Sequence, residues 1–253
     1  MNRRLLLPLI LIVVLTATAL SVGAEPQSND SDDQSKWIIS SGITPPLPAG
    51  SLLGLALALE RGGTSLWLDL VLTADDQVVL LSDTRIDDVT DVKTVFPERS
   101  RPDGSYYSFD FTLDELHQLS LTPTAVPGPM PLALSRPHLP ITALDDFLSV
   151  VELVSADFAT PPTLIFVLKH GWRHQQEDKD LGAVVLETLS RYRAATGTAA
   201  LMIGSYDPEE LQQLAQSTDP GATDAIGFMQ LIGADDGREV QRLEFGTYQP
   251  YNY

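Results

Sequence analysis

Apolar runs alternate with helical patterns along much of this chain. Runs rich in β-forming residues occupy positions 37–41, 65–72, 78–82, 163–169, 199–205 and 225–232. Between them lie stretches with helical periodicity or helix-start signals, at 51–61, 143–155, 181–192 and 207–216. Strands that alternate with helices in this way are typical of a mostly parallel sheet with right-handed crossovers. The pattern therefore predicts an α/β fold.

Residues 84–141 interrupt this alternation. They are rich in Asp, Pro, Gly and Ser, and the capping-box pair Thr112 and Glu115 predicts one short helix among them. An irregular stretch of this length inside a compact domain is usually functional or an inserted subdomain. We expect residues 84–141 to form a small inserted subdomain.

The N-terminal residues have the pattern of a secretory signal peptide. Two arginines precede an apolar run at 5–20, and small residues lead to Ala24. The run is close to the minimum for a membrane span, so an anchor is the rival interpretation. The small residues and the polar segment that follows favour cleavage near Ala24. We therefore predict a signal peptide at 1–24, a flexible arm at 25–36, and an exported protein, periplasmic or extracellular, with no stable membrane span after cleavage.

Charge and cysteine content narrow the list of partners. The chain has 16 Lys and Arg against 34 Asp and Glu, and loss of Arg3 and Arg4 with the signal peptide would leave 14 against 34, a net charge of −20. Phosphate backbones bind to basic surfaces, so nucleic acid is not an expected partner. No cysteine is present, which excludes disulfides within the chain and a lipid-modified N-terminal cysteine.

Five segments occur in an order that resembles a known family. They are the two β-rich runs on either side of Thr73–Asp76, the sequence DDVTDV at 87–92, the segment 106–115 that begins Tyr-Tyr, and WRHQQEDKD at 172–180. In this order they resemble the bacterial periplasmic glycerophosphodiester phosphodiesterases, over residues 37–119 and again from residue 163 onward. The resemblance implies a TIM barrel with a small inserted subdomain, so that residues 37–253 would form the barrel. It also implies hydrolysis of glycerophosphodiesters to glycerol-3-phosphate and an alcohol, with a divalent metal, usually Ca²⁺ or Mg²⁺.

The predicted barrel is incomplete. A (β/α)₈ barrel needs eight strands, and this chain offers about six. Residues 233–253 are too few for two more βα units, and members of the family continue with further strands beyond this point. An open sheet leaves unpaired edges. We expect either a homo-oligomer formed through the open barrel edge or a C-terminal segment that covers it.

The resemblance also places serines where the family has acid/base and phosphate-binding side chains. The family's first strand ends in His-Arg-Gly, and here the slot holds Ser40 and Ser41 before a glycine. Its third strand ends in a second acid/base histidine, and here that position is Ser82. A positioned general acid or base contributes roughly 10²–10⁴ in rate, so these replacements predict loss of the family's proton transfers.

Most metal ligands of the family are replaced as well. Ala49, Trp67 and Val167 stand where the resemblance places metal-binding glutamates, whereas Asp69, a metal ligand, and Lys169, a phosphate binder, remain. Because Ca²⁺ takes six to eight oxygen ligands, one aspartate would be a weak site, and no cofactor is expected. The large indole of Trp67 would fill the former site.

These replacements predict a pseudoenzyme or binding role in glycerophosphodiester or lipid metabolism, with weak affinity for a small-molecule phosphodiester. Two alternatives stay open. One is a weak metal-dependent hydrolase that releases glycerol-3-phosphate through Asp69 or a serine at the barrel mouth, and the other is a decayed copy with no selected function.

Two histidines, His170 and His174, are candidate bases for such a serine. His170 directly follows Lys169 and could face the barrel mouth, but a surface histidine after a strand is the simpler expectation. His174 is expected to be a loop residue that shapes the rim. His117 and His138 lie in the predicted insertion, and we expect them on its surface.

A run of carboxylates follows the third strand. Asp83, Asp87, Asp88 and Asp91 could hold a cation, but their spacing lacks the periodicity of a calcium loop. In so acidic a chain such groups are usually solvated, and Lys169 is similarly expected to extend along the surface with its charge in water.

Overall fold

The computed structural model describes residues 38–40, 47–60, 65–122, 138–155, 161–196, 200–217, 226–232, 240–244 and 247–250. The predicted signal peptide and flexible arm lie outside these residues. Residues 36–253 form one compact unit.

Six strands form the main sheet and confirm the predicted α/β fold. They are β1 Ile38–Ser40, β2 Ser65–Leu72, β3 Val78–Leu80, β4 Thr163–Leu168, β5 Ala200–Ser205 and β6 Ile226–Gln230. Five are parallel, in the order β1-β2-β4-β5-β6, and β3 pairs antiparallel with β2. Among the described residues β1 and β6 are not joined to each other, so the sheet is open, as expected for an incomplete barrel.

The third predicted strand is the second arm of a hairpin with β2, joined to it through the turn-like residues 73–76. It returns from β2 through a turn in which Thr73 N donates to the Gln77 carbonyl and Asp76 takes a left-handed conformation. The Asp69 carbonyl accepts a hydrogen bond from Leu81 N. The carbonyl of the next residue, Leu70, accepts from Lys169 N, which follows β4. Neighbouring carbonyls of a strand point to opposite edges, so β3 extends the same edge of β2 that pairs with β1.

The described helices are α1 Leu52–Glu60, α2 Val92–Val95, α3 Leu113–Leu116, α4 Leu144–Ser155, α5 Gly171–Gln176, α6 Leu181–Thr196 and α7 Pro208–Ser217. The four long ones were predicted, whereas α5 falls where a loop was expected. Two short 3₁₀ helices, Pro97–Arg99 and Ser108–Asp110, lie in the predicted insertion. The hairpin of β7 Gln241–Glu244 and β8 Thr247–Pro250 had no signal in the apolar pattern.

Strand periodicity divides the core into two sides of the sheet. In β2, residues 66, 68, 70 and 72 are buried together with side chains of the four long helices and of neighbouring strands. This cluster is the main core. Residues 67 and 69 lie on the other side, which is the inner side of the open barrel. None of the described helices is long and apolar enough to cross a membrane.

A second apolar cluster supports residues 84–122. It includes Ile86, Tyr106, Phe111 and Leu116, packed against Val79 of β3. The predicted capping box is confirmed: the Thr112 side chain accepts from Glu115 N, and the Glu115 carboxylate accepts from Thr112 N.

Candidate functional site

The inner side of the sheet brings together positions where the resemblance places metal ligands. Parallel register places Trp67 opposite Ile165 and Asp69 opposite Val167 on neighbouring strands. Ser40 pairs with Trp67 in the β1 register, and Ser41 lies outside the described residues. Because barrel active sites form at the carboxyl ends of the strands, this is the place where the family's chemistry would be expected.

The indole of Trp67 is hydrogen-bonded to the remaining carboxylate. Its Nε1 donates to Asp69 Oδ1 over 2.9 Å, and both side chains are half-buried. Residues two apart on a strand share a face, so the sequence spacing itself allows this contact. A carboxylate shielded from water needs donors, and here the indole N–H, from the position of a lost ligand, supplies one.

Other site positions meet in a narrow crevice beside this pair. It has no room for a water-sized sphere, and its walls are Ala49, Gly50, Leu68, Asp69, Leu80, Leu81 and Ser82. The structure thus brings the lost ligand position Ala49, the remaining aspartate and Ser82 to one place. Gly50 has a positive φ, and a Cβ there would lie 2.7 Å from the Leu80 carbonyl oxygen, so its backbone closes the crevice from one side.

Val167 lies in a small apolar cluster. It is fully buried with Ile165 and Leu231, and Trp67 and Met202 pack against the cluster. These side chains offer no oxygen ligands, and the one carboxylate beside them already accepts from an indole. The residues present therefore do not fit the Ca²⁺ or Mg²⁺ that the family uses, since both ions require several oxygen ligands.

Lys169 is not the extended surface lysine that the sequence suggested. It is only 8% exposed, and its Nζ lies 5.3 Å from the centroid of the Tyr206 ring. Tyr206 follows β5 just as Lys169 follows β4, so strand register sets them side by side. The partner lies 37 positions away in the sequence, and no local signal indicates the contact.

His170 was expected on the surface, and that prediction is wrong. It is 6% exposed, in a left-handed conformation with φ 49° and ψ 49°, and its Nε2 lies 3.5 Å from Asp83 Oδ2. Burial of Asp83 opposes its ionisation, but the hydrogen bond and charge of His170, with the Arg85 N–H, outweigh burial and lower the pKa of that carboxyl. The chain therefore holds an imidazole–carboxylate pair at the end of β4.

His174 lies on α5 rather than in a loop, and it is fully buried. Its ring meets Phe109 edge-on at 5.6 Å, and neither nitrogen has a hydrogen-bond partner among the described residues. Burial lowers the pKa of His174 to about 3. His138 is exposed, as predicted, and His117 is partly exposed.

The carboxylates after β3 do not converge. Asp87 is buried between Arg85 and Lys93, against the prediction of a solvated group, whereas Asp88 is exposed. Asp91 accepts from Ser120 N. Within the described part of the chain, no group of acidic, His or Cys side chains is arranged to hold a metal ion.

The segments at 106–115 and 172–180, which resemble the family without carrying its catalysis, contact each other. Arg101 donates to both carboxylate oxygens of Asp110 and to Glu177 over 2.7–2.8 Å, which joins the insertion to the end of α5. Tyr107 and Phe109 stack at 5.2 Å and face Arg173 and His174. Their mutual packing gives both segments a structural role at the rim.

The sequence was compared with family models and with curated proteins. The family model described as "Glycerophosphoryl diester phosphodiesterase family" matches residues 42–249. A glycerophosphodiester phosphodiesterase of Haemophilus influenzae is 28% identical over 95% of this chain and 70% of its own length. One of Treponema pallidum is 27% identical over 82% of this chain and 61% of its own. The chain thus spans about two thirds of the length of these curated relatives.

Solved structures agree in fold. A crystal structure of a putative glycerophosphoryl diester phosphodiesterase from Silicibacter pomeroyi DSS-3 has a TM-score of 0.57, with 19% identity over 81% of this chain and 69% of the other. An Oleispira antarctica phosphodiesterase in complex with the product sn-glycerol-3-phosphate has a TM-score of 0.52, with 16% identity over 76% of this chain and 63% of the other. The sheet is therefore a TIM-barrel-like fold, left open in the described residues, and the chain belongs to the glycerophosphoryl diester phosphodiesterase family.

Proposed function

We propose that this chain is an exported, catalytically inactive member of its family that acts by binding. The observation that carries the proposal is the hydrogen bond from Trp67 to Asp69, in which a side chain at a lost ligand position occupies the remaining metal carboxylate. Export is proposed from the predicted signal peptide at residues 1–24.

Three features of the site support inactivity. Three positions where the resemblance places metal ligands hold Ala49, Trp67 and Val167, and the crevice beside Asp69 has no room for a water-sized sphere. Ser82, at an acid/base position, cannot exchange protons near neutral pH as a histidine does. The phosphoryl transition state also requires positive charge, and the retained cation, Lys169, is largely buried over Tyr206.

The folded scaffold supports a binding role over decay. The main core, the capping box and the docking of the insertion onto α5 are all intact. An unselected copy would be expected to accumulate destabilising substitutions in such places, because most substitutions destabilise. A phosphodiester or a related small molecule is the proposed ligand class, and nucleic acid is not a proposed partner because the chain carries a net charge of −18.

The test is hydrolysis of glycerophosphocholine by the purified mature chain, with Ca²⁺ or Mg²⁺ and an EDTA control. The Haemophilus influenzae relative serves as the positive comparator, and Asp69→Asn as the matched variant. We expect no metal-dependent release of glycerol-3-phosphate from a folded, soluble sample. Release that exceeds the EDTA control and is lost in Asp69→Asn would overturn the proposal in favour of a weak metal-dependent hydrolase.

A further inference from the structure

We propose that Arg173 and Tyr107 form a phosphate-binding subsite on the rim of the open barrel. The inference rests on the proposed binding function and names the chemical group that would be bound. Neither residue stands at a position where the resemblance places a metal ligand or a phosphate-binding side chain.

Arg173 lies close to the carboxyl end of β4. Its N–H donates to the His170 carbonyl over 2.8 Å, and His170 follows Lys169, the first residue after the strand. Tyr107 reaches the same place from the insertion, because its backbone pairs with Arg85, two residues after Asp83. Both side chains therefore belong to the end of the sheet where barrel proteins bind their ligands.

The guanidinium of Arg173 is held in place by neutral groups. Its Cζ lies 4.7 Å from the Trp172 ring centroid and 5.6 Å from that of Tyr107, and Nη1 donates to the Tyr107 hydroxyl over 3.3 Å. Its Nε is buried without an acceptor among the described residues, and no carboxylate in that part of the chain forms an ion pair with it. A buried charged donor without an acceptor is unfavourable.

Arg101, which packs on the same Tyr107 ring, differs from Arg173 in its hydrogen-bond partners. Arg101 lies 5.0 Å from the Tyr107 centroid and is fully occupied, by two oxygens of Asp110 and one of Glu177. Two guanidinium groups thus flank one aromatic ring, and only one has carboxylate partners in the described structure.

An oxyanion would satisfy this arrangement. A guanidinium presents paired N–H donors that match two oxygens of a phosphate. The Tyr107 hydroxyl accepts from Arg173, and its own proton has no acceptor among the described residues, so it can donate to the same anion. A phosphate group, from a phosphodiester, a phosphate monoester or inorganic phosphate, fits these donors.

The experiment is isothermal titration of the mature chain with inorganic phosphate, glycerol-3-phosphate and glycerophosphocholine, at constant ionic strength set with chloride. Three variants are compared with the native chain. Arg173→Gln removes the charge, Tyr107→Phe removes only the hydroxyl, and Arg191→Gln is the control, an exposed arginine on α6 that contacts Thr188. Circular dichroism checks that each variant is folded.

We expect saturable binding of at least one phosphate compound, weakened about tenfold or more by Arg173→Gln. Tyr107→Phe should weaken binding severalfold, and the control should leave it unchanged. The compound bound most tightly identifies the source of the phosphate. No saturable binding, or equal binding by the native chain and a folded Tyr107→Phe or Arg173→Gln variant, would overturn the subsite. The binding results test the subsite alone. Hydrolysis of glycerophosphocholine would contradict the proposed inactivity, but it would not bear on whether Arg173 binds phosphate.

Discussion

Acidification should destabilise this fold through one buried imidazole. His174 is fully buried, makes no hydrogen bond among the described residues, and has its pKa lowered by burial from 6.5 to about 3. Between these values the unfolded chain binds a proton at His174 and the folded chain does not. Stability therefore rises with pH across this window and is lost as the pH falls from about 6.5 toward 3.

The magnitude follows from the pKa difference. Each pH unit inside the window changes the free energy of unfolding by about 1.4 kcal/mol for a single proton. From pH 7 to pH 4.5, His174 should therefore cost about 2.5 kcal/mol of stability. That is a large fraction of the ~5–15 kcal/mol that typically stabilises a domain.

Urea denaturation of the native chain and of His174→Leu, at pH 7, 5.5 and 4.5, measures the contribution of His174 to the free energy of unfolding. Leucine suits the site because the imidazole nitrogens lack partners among the described residues and the ring packs on Phe109. Carboxylates with lowered pKa values, such as Asp83, titrate in both proteins and cancel in the comparison. The variant should gain about 2.5 kcal/mol relative to the native chain between pH 7 and 4.5. Parallel pH profiles for the two proteins would refute the reasoning.

Three further substitutions test particular contacts by urea denaturation. Trp67→Phe keeps an aromatic ring but removes the donor to Asp69, and should cost about 1–2 kcal/mol, with little further loss when Asp69→Asn is added. Arg101→Met should cost about 1–2 kcal/mol after allowance for solvent screening, because its bonds to the insertion and to Glu177 are part-buried. In limited proteolysis the variant should be cleaved in the insertion before it is cleaved elsewhere. Thr112→Ala removes the N-cap of α3 and should cost about 1 kcal/mol, whereas Thr112→Ser should restore most of it.

The periodic parts of the fold could be read from the sequence. The six strands and four long helices follow from apolar spacing, and the Thr112 capping box follows from two residues three apart. The two-residue spacing of Trp67 and Asp69 on a strand likewise places them on one face. Local spacing therefore predicted the elements, and it allows the contact between Trp67 and Asp69, which was not itself predicted.

Contacts between distant segments could not be read in this way. His170 is buried by its pairing with Asp83, 87 positions earlier, and Lys169 by Tyr206, 37 positions later. Treated as isolated residues after a strand, both were expected in water.

The central claim is that Trp67 replaces the metal at Asp69, and calorimetric titration of the mature chain with CaCl₂ and MgCl₂ tests it most directly. Asp69→Asn, in which an amide replaces the carboxylate, is the matched control. The account predicts no saturable binding tighter than about 1 mM, the weak end of calcium sites, and identical traces for the two proteins. A one-site isotherm in the native chain that disappears in Asp69→Asn would contradict it.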